Sequence, residues 1–280
     1  AKGFSLGYIG SVILLLFNLA MVMQPALFGI EDLPEAPAAI TAMKYSFVTV
    51  GIWWIIFSQY SFYYMPKGNK KDGPAVNLLF NGFKELKMVW NQLGSQPMLK
   101  KYLLAFFVYS MAVQTVMLIA AYFGEEEIAW GSDDQRTIGL ISSILLIQLV
   151  AIIGATITAK ASEKFGNIPT LIVVNALWLM ICFYAYFVVS PTEFYIAAGL
   201  VGMVMGGIQA LSRSTYAKLM PETQDTTSFF SFYDVAEKIG IVLGTFIYGA
   251  LAQGSGDLRN GIIMFGVFFL VGGLLLRRVK

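Results

Sequence analysis

The chain has 280 residues, of which 57% are hydrophobic and 13% charged, with a formal net charge of +2 and a mean hydropathy of +0.69. A soluble domain carries charge on about a quarter of its residues, so too little is present to coat a water-facing surface, and the composition is that of an integral membrane protein. There is no histidine, which removes the commonest metal ligand and neutral-pH base, and the single cysteine, Cys182, lies inside an apolar run, which excludes an intrachain disulfide.

A bilayer-crossing helix takes about 20 mainly apolar residues. Eight stretches qualify: Leu6–Ile30, Tyr45–Met65, Lys101–Phe123, Thr137–Lys160, Thr170–Val189, Phe194–Leu211, Phe230–Ala252 and Gly261–Arg277. They predict an all-α membrane protein with eight transmembrane helices. The chain opens Ala1-Lys2-Gly3 without a methionine or a signal peptide, so its beginning is expected upstream.

An even number of spans puts both ends on one side. With Ala1 in the cytoplasm, Lys2, the lysines between Lys67 and Lys101, Lys160, Lys164, Arg213, Lys218, Arg277, Arg278 and Lys280 are cytoplasmic. Those are 15 of the 19 basic residues; Lys44, Arg136 and Arg259 fall outside and Lys238 lies within a span. The positive-inside rule therefore predicts cytoplasmic basic loops.

In the first span, Gly3, Gly7 and Gly10 have the spacing that lets helices approach closely, or are ordinary packing. Gln24-Pro25 follows, where a kink is expected. Trp53 and Trp54 stand near mid-span and read as packing or cavity lining. The longest polar connection, Pro66–Lys100, starts PKGNKKDGP. It continues with Leu79, Phe83, Leu86, Trp90 and Leu93 at helical spacing between charged residues. That pattern suits an amphipathic helix in the headgroup layer, either a plain linker or a lipid-sensing element.

The third span carries Tyr109, Ser110, Gln114 and Thr115 halfway across. Hydrocarbon cannot satisfy the amide of Gln114, so it must face protein, water or a solute. The fourth span ends in a short charged turn with Lys160, Glu163 and Lys164, and its own polar residues, Ser142, Ser143 and Gln148, are weaker candidates. Asn175 of the fifth span caps or bonds a neighbour. In the sixth, Gly202 and Gly206 form a small-xxx-small pair that predicts close helix contact.

The most informative stretch is Gly206–Gly240, a polar join between two apolar runs. Charge at membrane depth is expensive and faces protein or a water-filled cavity. Asp234 and Lys238 are four apart, acid first, the favourable order for a helical ion pair. With Glu237 they read either as a pair that steadies the cytoplasmic mouth or as a proton-coupling group. Arg213 reads as snorkelling, capping helix-end carbonyls, or pairing with Asp234 or Glu237 to close that mouth.

Three segments, GGIQALSRS at 206–214, SFFSFYDVAEKIG at 228–240 and GSGDLRNGI at 254–262, together with GYIG at 7–10 and VQTV at 113–116, resemble the vacuole-effluxer branch of the major facilitator superfamily. That branch is related to the autophagy-linked vacuolar amino-acid permeases. The resemblance implies two six-helix bundles. Residues 1–65 would hold the last two helices of the N-terminal bundle, 66–100 the cytoplasmic linker, and 101–280 the complete C-terminal bundle. The remaining N-terminal helices of the same chain would then be partners of this part. AKASEKFG resembles the superfamily's charged turn, with Glu163 and Lys164 where an Asp and an Arg are usual.

The resemblance further implies a secondary transporter that works by alternating access around a midplane site. Tyr109, Gln114, Thr115 and Gln24 are the candidate substrate-binding residues. Arg213, Asp234, Glu237, Lys238, Lys160 and Glu163 are the candidate gating or coupling residues. The expected partners are the bilayer, a small solute such as an amino acid, and protons. The expected location is a bacterial inner membrane. A transport-inactive scaffold or sensor on the same fold is the alternative. No HExxH- or GxSxG-like site is present, so an enzyme is not expected, nor a metal or cofactor. No ring of like charges or filter loop suggests a channel. The Lys67–Lys101 cluster reads as positive-inside charge rather than a nucleic-acid surface.

Overall fold

The computed structural model describes residues 2–32, 37–65, 78–223 and 225–279. These form α-helices α1 (Lys2–Met23), α2 (Ala38–Tyr64), α3 (Leu78–Gln92), α4 (Pro97–Glu127), α5 (Asp133–Phe165), α6 (Asn167–Tyr186), α7 (Pro191–Leu219), α8 (Thr226–Ser255) and α9 (Leu258–Leu276), with no strand among the described residues. Eight are long and apolar enough to cross a membrane. The exception, α3, is the amphipathic helix expected after the second span; the charged start of that connection, with Lys67, Lys70 and Lys71, lies outside the described residues.

Four helices start before their apolar runs, where polar residues cap them. Ser132 opens α5 by accepting from the Gln135 amide, and Ser190 and Glu193 form a reciprocal capping box on α7. The Asp225 carboxylate accepts from the Ser228 amide at 3.2 Å, and that of Asp257 from the Arg259 amide at 2.8 Å. The polar join expected over Gly206–Gly240 therefore shrinks to residues 220–225. Glu237, which a span starting at Phe230 puts within two turns of the helix start, then lies about three turns into α8. At Pro25 the structure departs from the expected kink. α1 stops at Met23, Gln24 takes a non-helical conformation, and a short 3-10 turn, Pro25–Phe28, ends at Gly29 with φ of 70°.

By its internal contacts the chain divides into two compact units, Ile9–Ala75 and the remainder, Ala1–Tyr8 with Val76–Lys280. In the smaller unit the Thr49 hydroxyl donates to Asn18 at 2.6 Å, and Met21, Ile30, Ala38 and Ala42 form a small core. Gly10 faces Trp53, whereas Trp54 is exposed. No atom comes near a Cβ built on Gly3 or Gly7, so these glycines make no close helix contact among the described residues.

In the larger unit α4 to α9 form a six-helix bundle. α5 runs along α7, α4 packs on α8 and α9, and α6 packs on α7 and α9. The α5–α7 contact is backbone to backbone, as the Gly202–Gly206 spacing predicts. A Cβ on either glycine would sit 2.6 Å from a carbonyl oxygen of α5, that of Ile147 or Ala151. Trp178 of α6 stacks on Phe269 of α9, centroids 5.0 Å apart.

One end of the bundle is fastened by Arg259. Its Nε donates to the Glu127 carboxylate at 2.9 Å, and its two terminal nitrogens donate to the carbonyls of Tyr186 and Glu127. The paired side chains are only 16% and 21% exposed. The start of α9 is thus tied to the ends of α4 and α6. Sequence reasoning had left Arg259 as a loop charge.

Two outcomes follow for stability in detergent. Gly206→Val should lower the thermal midpoint by roughly 5 °C through overpacking, while Gly199→Val, which meets open space, should leave it unchanged. Arg259→Gln should cost about 2 kcal/mol of unfolding free energy, the scale of a lost charged hydrogen bond, read from the same melts if unfolding is reversible.

Candidate functional site

Three helices bring their polar faces together. On α4 the residues Phe106, Tyr109, Ser110, Val113 and Gln114 recur at three- and four-residue steps, which places them on one face. On α7 Ile208, Gln209, Ser212 and Arg213 do the same, and on α8 Tyr233, Glu237 and Lys238. Together these side chains line a cavity of about 240 Å³.

The inner wall is a hydrogen-bonded cluster. Tyr102 donates its hydroxyl to the Ser212 carbonyl at 2.7 Å, and the hydroxyls of Tyr109 and Ser212 share a hydrogen bond of 2.7 Å. Tyr102 and Tyr109 are fully buried or nearly so. The ring of Phe106 stacks on that of Tyr233 with centroids 4.1 Å apart. Buried hydroxyls of this kind need partners, and here each partner fixes one helix against another. The face of α4 is locked to α7 through Ser212 and to α8 through Tyr233.

Beside this wall the Gln114 amide donates to the Glu237 carboxylate. Gln114 lies near the middle of α4, and Glu237 lies close to the middle of α8. The amide that hydrocarbon could not satisfy is therefore met by a carboxylate of the same bundle. One turn nearer the start of α8, Asp234 pairs with Arg213 of α7 at 3.4 Å. The Arg213 guanidinium also lies over the rings of Phe230 and Tyr233, at 5.4 and 5.9 Å. Each side chain of the Arg213–Asp234 pair is 46% exposed, so the pair is wet. Exposed pairs contribute about 0–1 kcal/mol, which makes this one easy to open and re-form.

The structure separates the remaining candidates. Asp234 turns across to Arg213 rather than along its own helix to Lys238, because the α7 cation is the better placed partner. Thr115 is fully buried but faces away from the cavity, against Gly244 of α8; the one-residue step from Gln114 rotates it by about 100°. Gln24 lies in the smaller unit, just past the end of α1. Lys160 and Glu163 are exposed on the last turns of α5, outside the cavity lining. Asn175 bonds within its own helix, its amide donating to the Leu171 carbonyl at 2.8 Å.

Sequence reasoning missed Tyr102, Gln209, Ser212 and Tyr233. The signal for three of them was present: Gln209, Ser212 and Arg213 share a helical face, as do Tyr233 and Glu237. Among the described residues no group of acidic and cysteine side chains is arranged to hold a metal ion.

Comparison with known proteins agrees with this architecture. The family described as vacuole effluxer Atg22-like matches residues 1–280, the whole chain. The chain belongs to this family. It therefore lies in the vacuole-effluxer branch of the major facilitator superfamily, as the segments at 206–262 had suggested. Among its relatives is an uncharacterised MFS-type transporter of Bacillus subtilis, YxiO, 30% identical over 287 residues that cover 99% of this chain and 61% of the relative. Two others are the autophagy-related proteins 22 of Pichia angusta and Eremothecium gossypii, 23% and 24% identical over 94% and 95% of this chain. The chain spans 52% and 53% of those two proteins. With its eight apolar helices, this member of the family is an integral, multi-pass membrane protein.

The cavity geometry predicts a contrast in thiol reactivity. The native Cys182 is buried and gives a silent background. Gln209→Cys, on the cavity wall, should react with a water-soluble maleimide at least tenfold faster than Thr115→Cys, which faces Gly244. Equal rates would mean that the face of α4 is assigned wrongly.

Proposed function

We propose that this chain supplies the C-terminal bundle, and the two helices before it, of a secondary active transporter. In this reading residues 66–100 are the linker between bundles, and the basic loops, with the Arg213 end of the bundle, face the cytoplasm of a bacterial inner membrane. The solute site is the cavity bounded by Tyr109, Gln114, Gln209 and Glu237. A transporter of this superfamily binds near the bilayer midplane and rocks around that site.

The observation that carries the reading is the Gln114–Glu237 contact, a carboxylate held near mid-helix inside a polar cavity. An uncompensated charge at that depth is costly. Glu237 is therefore suited to take up a proton or the cationic group of a solute and release it when the mouth opens to water. Arg213 and Asp234 form the gate one turn away. Carboxylate, guanidinium, amide and hydroxyl groups in one cavity complement a zwitterion such as an amino acid. The names of the relatives, a vacuole effluxer family and an MFS-type transporter, support the transport class.

The full-length protein reconstituted in liposomes tests this with labelled amino acids, with and without an imposed pH gradient. Wild type should show saturable uptake that follows the gradient. Glu237→Gln keeps a partner for Gln114 but cannot carry a proton. It should retain exchange without a gradient to within about threefold and lose gradient-driven accumulation. Accumulation unchanged in Glu237→Gln would overturn the proton role. Absence of any flux in wild type would favour a scaffold or sensor. Arg213→Ala should shift the balance of inward- and outward-open states, read as a changed ratio of influx to efflux rates.

A further inference from the structure

Two of the helices that line the polar cavity, α4 and α8, present a second, different face to an apolar groove of about 860 Å³. Phe106, Tyr109 and Ser110 of α4 point into the cavity, whereas Leu104 and Phe107 line the groove. On α8 Tyr233 and Glu237 point into the cavity, whereas Val235 and Ile239 line the groove. The third wall is α3, whose Trp90 approaches Phe232 with centroids 6.2 Å apart. Trp90, Leu104 and Ile239 are 64%, 55% and 50% exposed, so nothing among the described residues covers them.

The groove is closed at one end by charge. Lys100 and Lys101, on the first turns of α4, belong to its lining and are exposed. Neither is in an ion pair among the described residues. The neighbouring helix α3 adds Lys84 and Lys87, both exposed. An apolar slot with an unpaired dication at its end has the chemistry of one occupant, a lipid with an acyl chain and an anionic headgroup.

We propose that this groove is a binding site for an anionic phospholipid, with its phosphate on Lys100 and Lys101 and an acyl chain between α3, α4 and α8. In a bilayer the chain alone confers no selectivity, since lipid tails are as apolar as the groove. Preference comes from the two lysines, and basic pockets between membrane helices recognise anionic headgroups in this way. The site is independent of which solute is carried. It lies against the segment of α8 between Asp234 and Glu237, so its occupancy bears on the helix that carries the proposed gate and proton group.

Native mass spectrometry of the full-length protein in equimolar phosphatidylglycerol and phosphatidylcholine tests the site. Wild type should retain phosphatidylglycerol roughly thirtyfold over phosphatidylcholine, the scale expected of two lysines. Lys100→Gln with Lys101→Gln should bring the two lipids to near parity. Ala236→Trp, or Leu104→Trp if the first variant does not fold, should fill the groove and lose the retained lipid with the thermal midpoint unchanged. Equal retention of both lipids by wild type would overturn the proposal. So would a phosphatidylglycerol preference that survives in the lysine and tryptophan variants, the outcome expected if another segment of the protein or a second copy covers the groove.

Discussion

Hydrocarbon offers no hydrogen bonds, so a polar side chain on a spanning helix is costly unless its own backbone, another helix or water meets it. The bundle of α4 to α9 is arranged around that constraint. Gln114 is met by Glu237, Tyr109 by Ser212, Tyr102 by the Ser212 carbonyl, and Arg213 by Asp234. These partners lie on three helices, and Tyr109, Gln114, Ser212, Arg213 and Glu237 among them line one cavity. The polar groups that would be most expensive in lipid are thus the ones that face one another. Much of the remaining exposed surface of these helices carries Leu, Ile, Val, Phe and Met.

Among the described residues two ion pairs tie helices together, and they differ in kind. Arg259 and Glu127 are mostly buried, held by several hydrogen bonds, and join the ends of α4, α6 and α9. Breaking such a pair leaves a buried charge without compensation. Arg213 and Asp234 are half exposed at 3.4 Å, where water can replace either partner at little cost. The first contact suits a permanent fastening, and the second can open and re-form at little cost. Glycine sets the spacing between them: Gly202 and Gly206 let α7 lie against the backbone of α5, and Gly244 accommodates Thr115 of α4.

Much of this was legible in the sequence. Runs of apolar residues marked every helix long enough to cross a membrane, and the polar stretch Gly206–Gly240 holds the cavity-lining residues of α7 and α8. Helix ends were less legible because hydropathy falls off where capping begins. The Ser190-to-Glu193 box and the caps at Ser132, Asp225 and Asp257 extend α7, α5, α8 and α9 through residues that read as loop. That extension is also why Glu237 lies deeper than expected. Facing was legible only in part. Neighbours on a helix diverge by about 100°, so Gln114 and Thr115, equal candidates in sequence, point to different places. The Arg259 clasp was not legible, because its partners come from the far ends of two other helices.

The account rests on the cavity of α4, α7 and α8 being the place where a solute binds. The most direct test is solute protection of Gln209→Cys in the reconstituted full-length protein. A transported amino acid, at saturating concentration, should slow maleimide labelling at that position several-fold, while leaving labelling at an exposed control such as Glu163→Cys unchanged. Labelling of Gln209→Cys that is indifferent to a solute the protein demonstrably transports would contradict the central claim and move the binding site elsewhere.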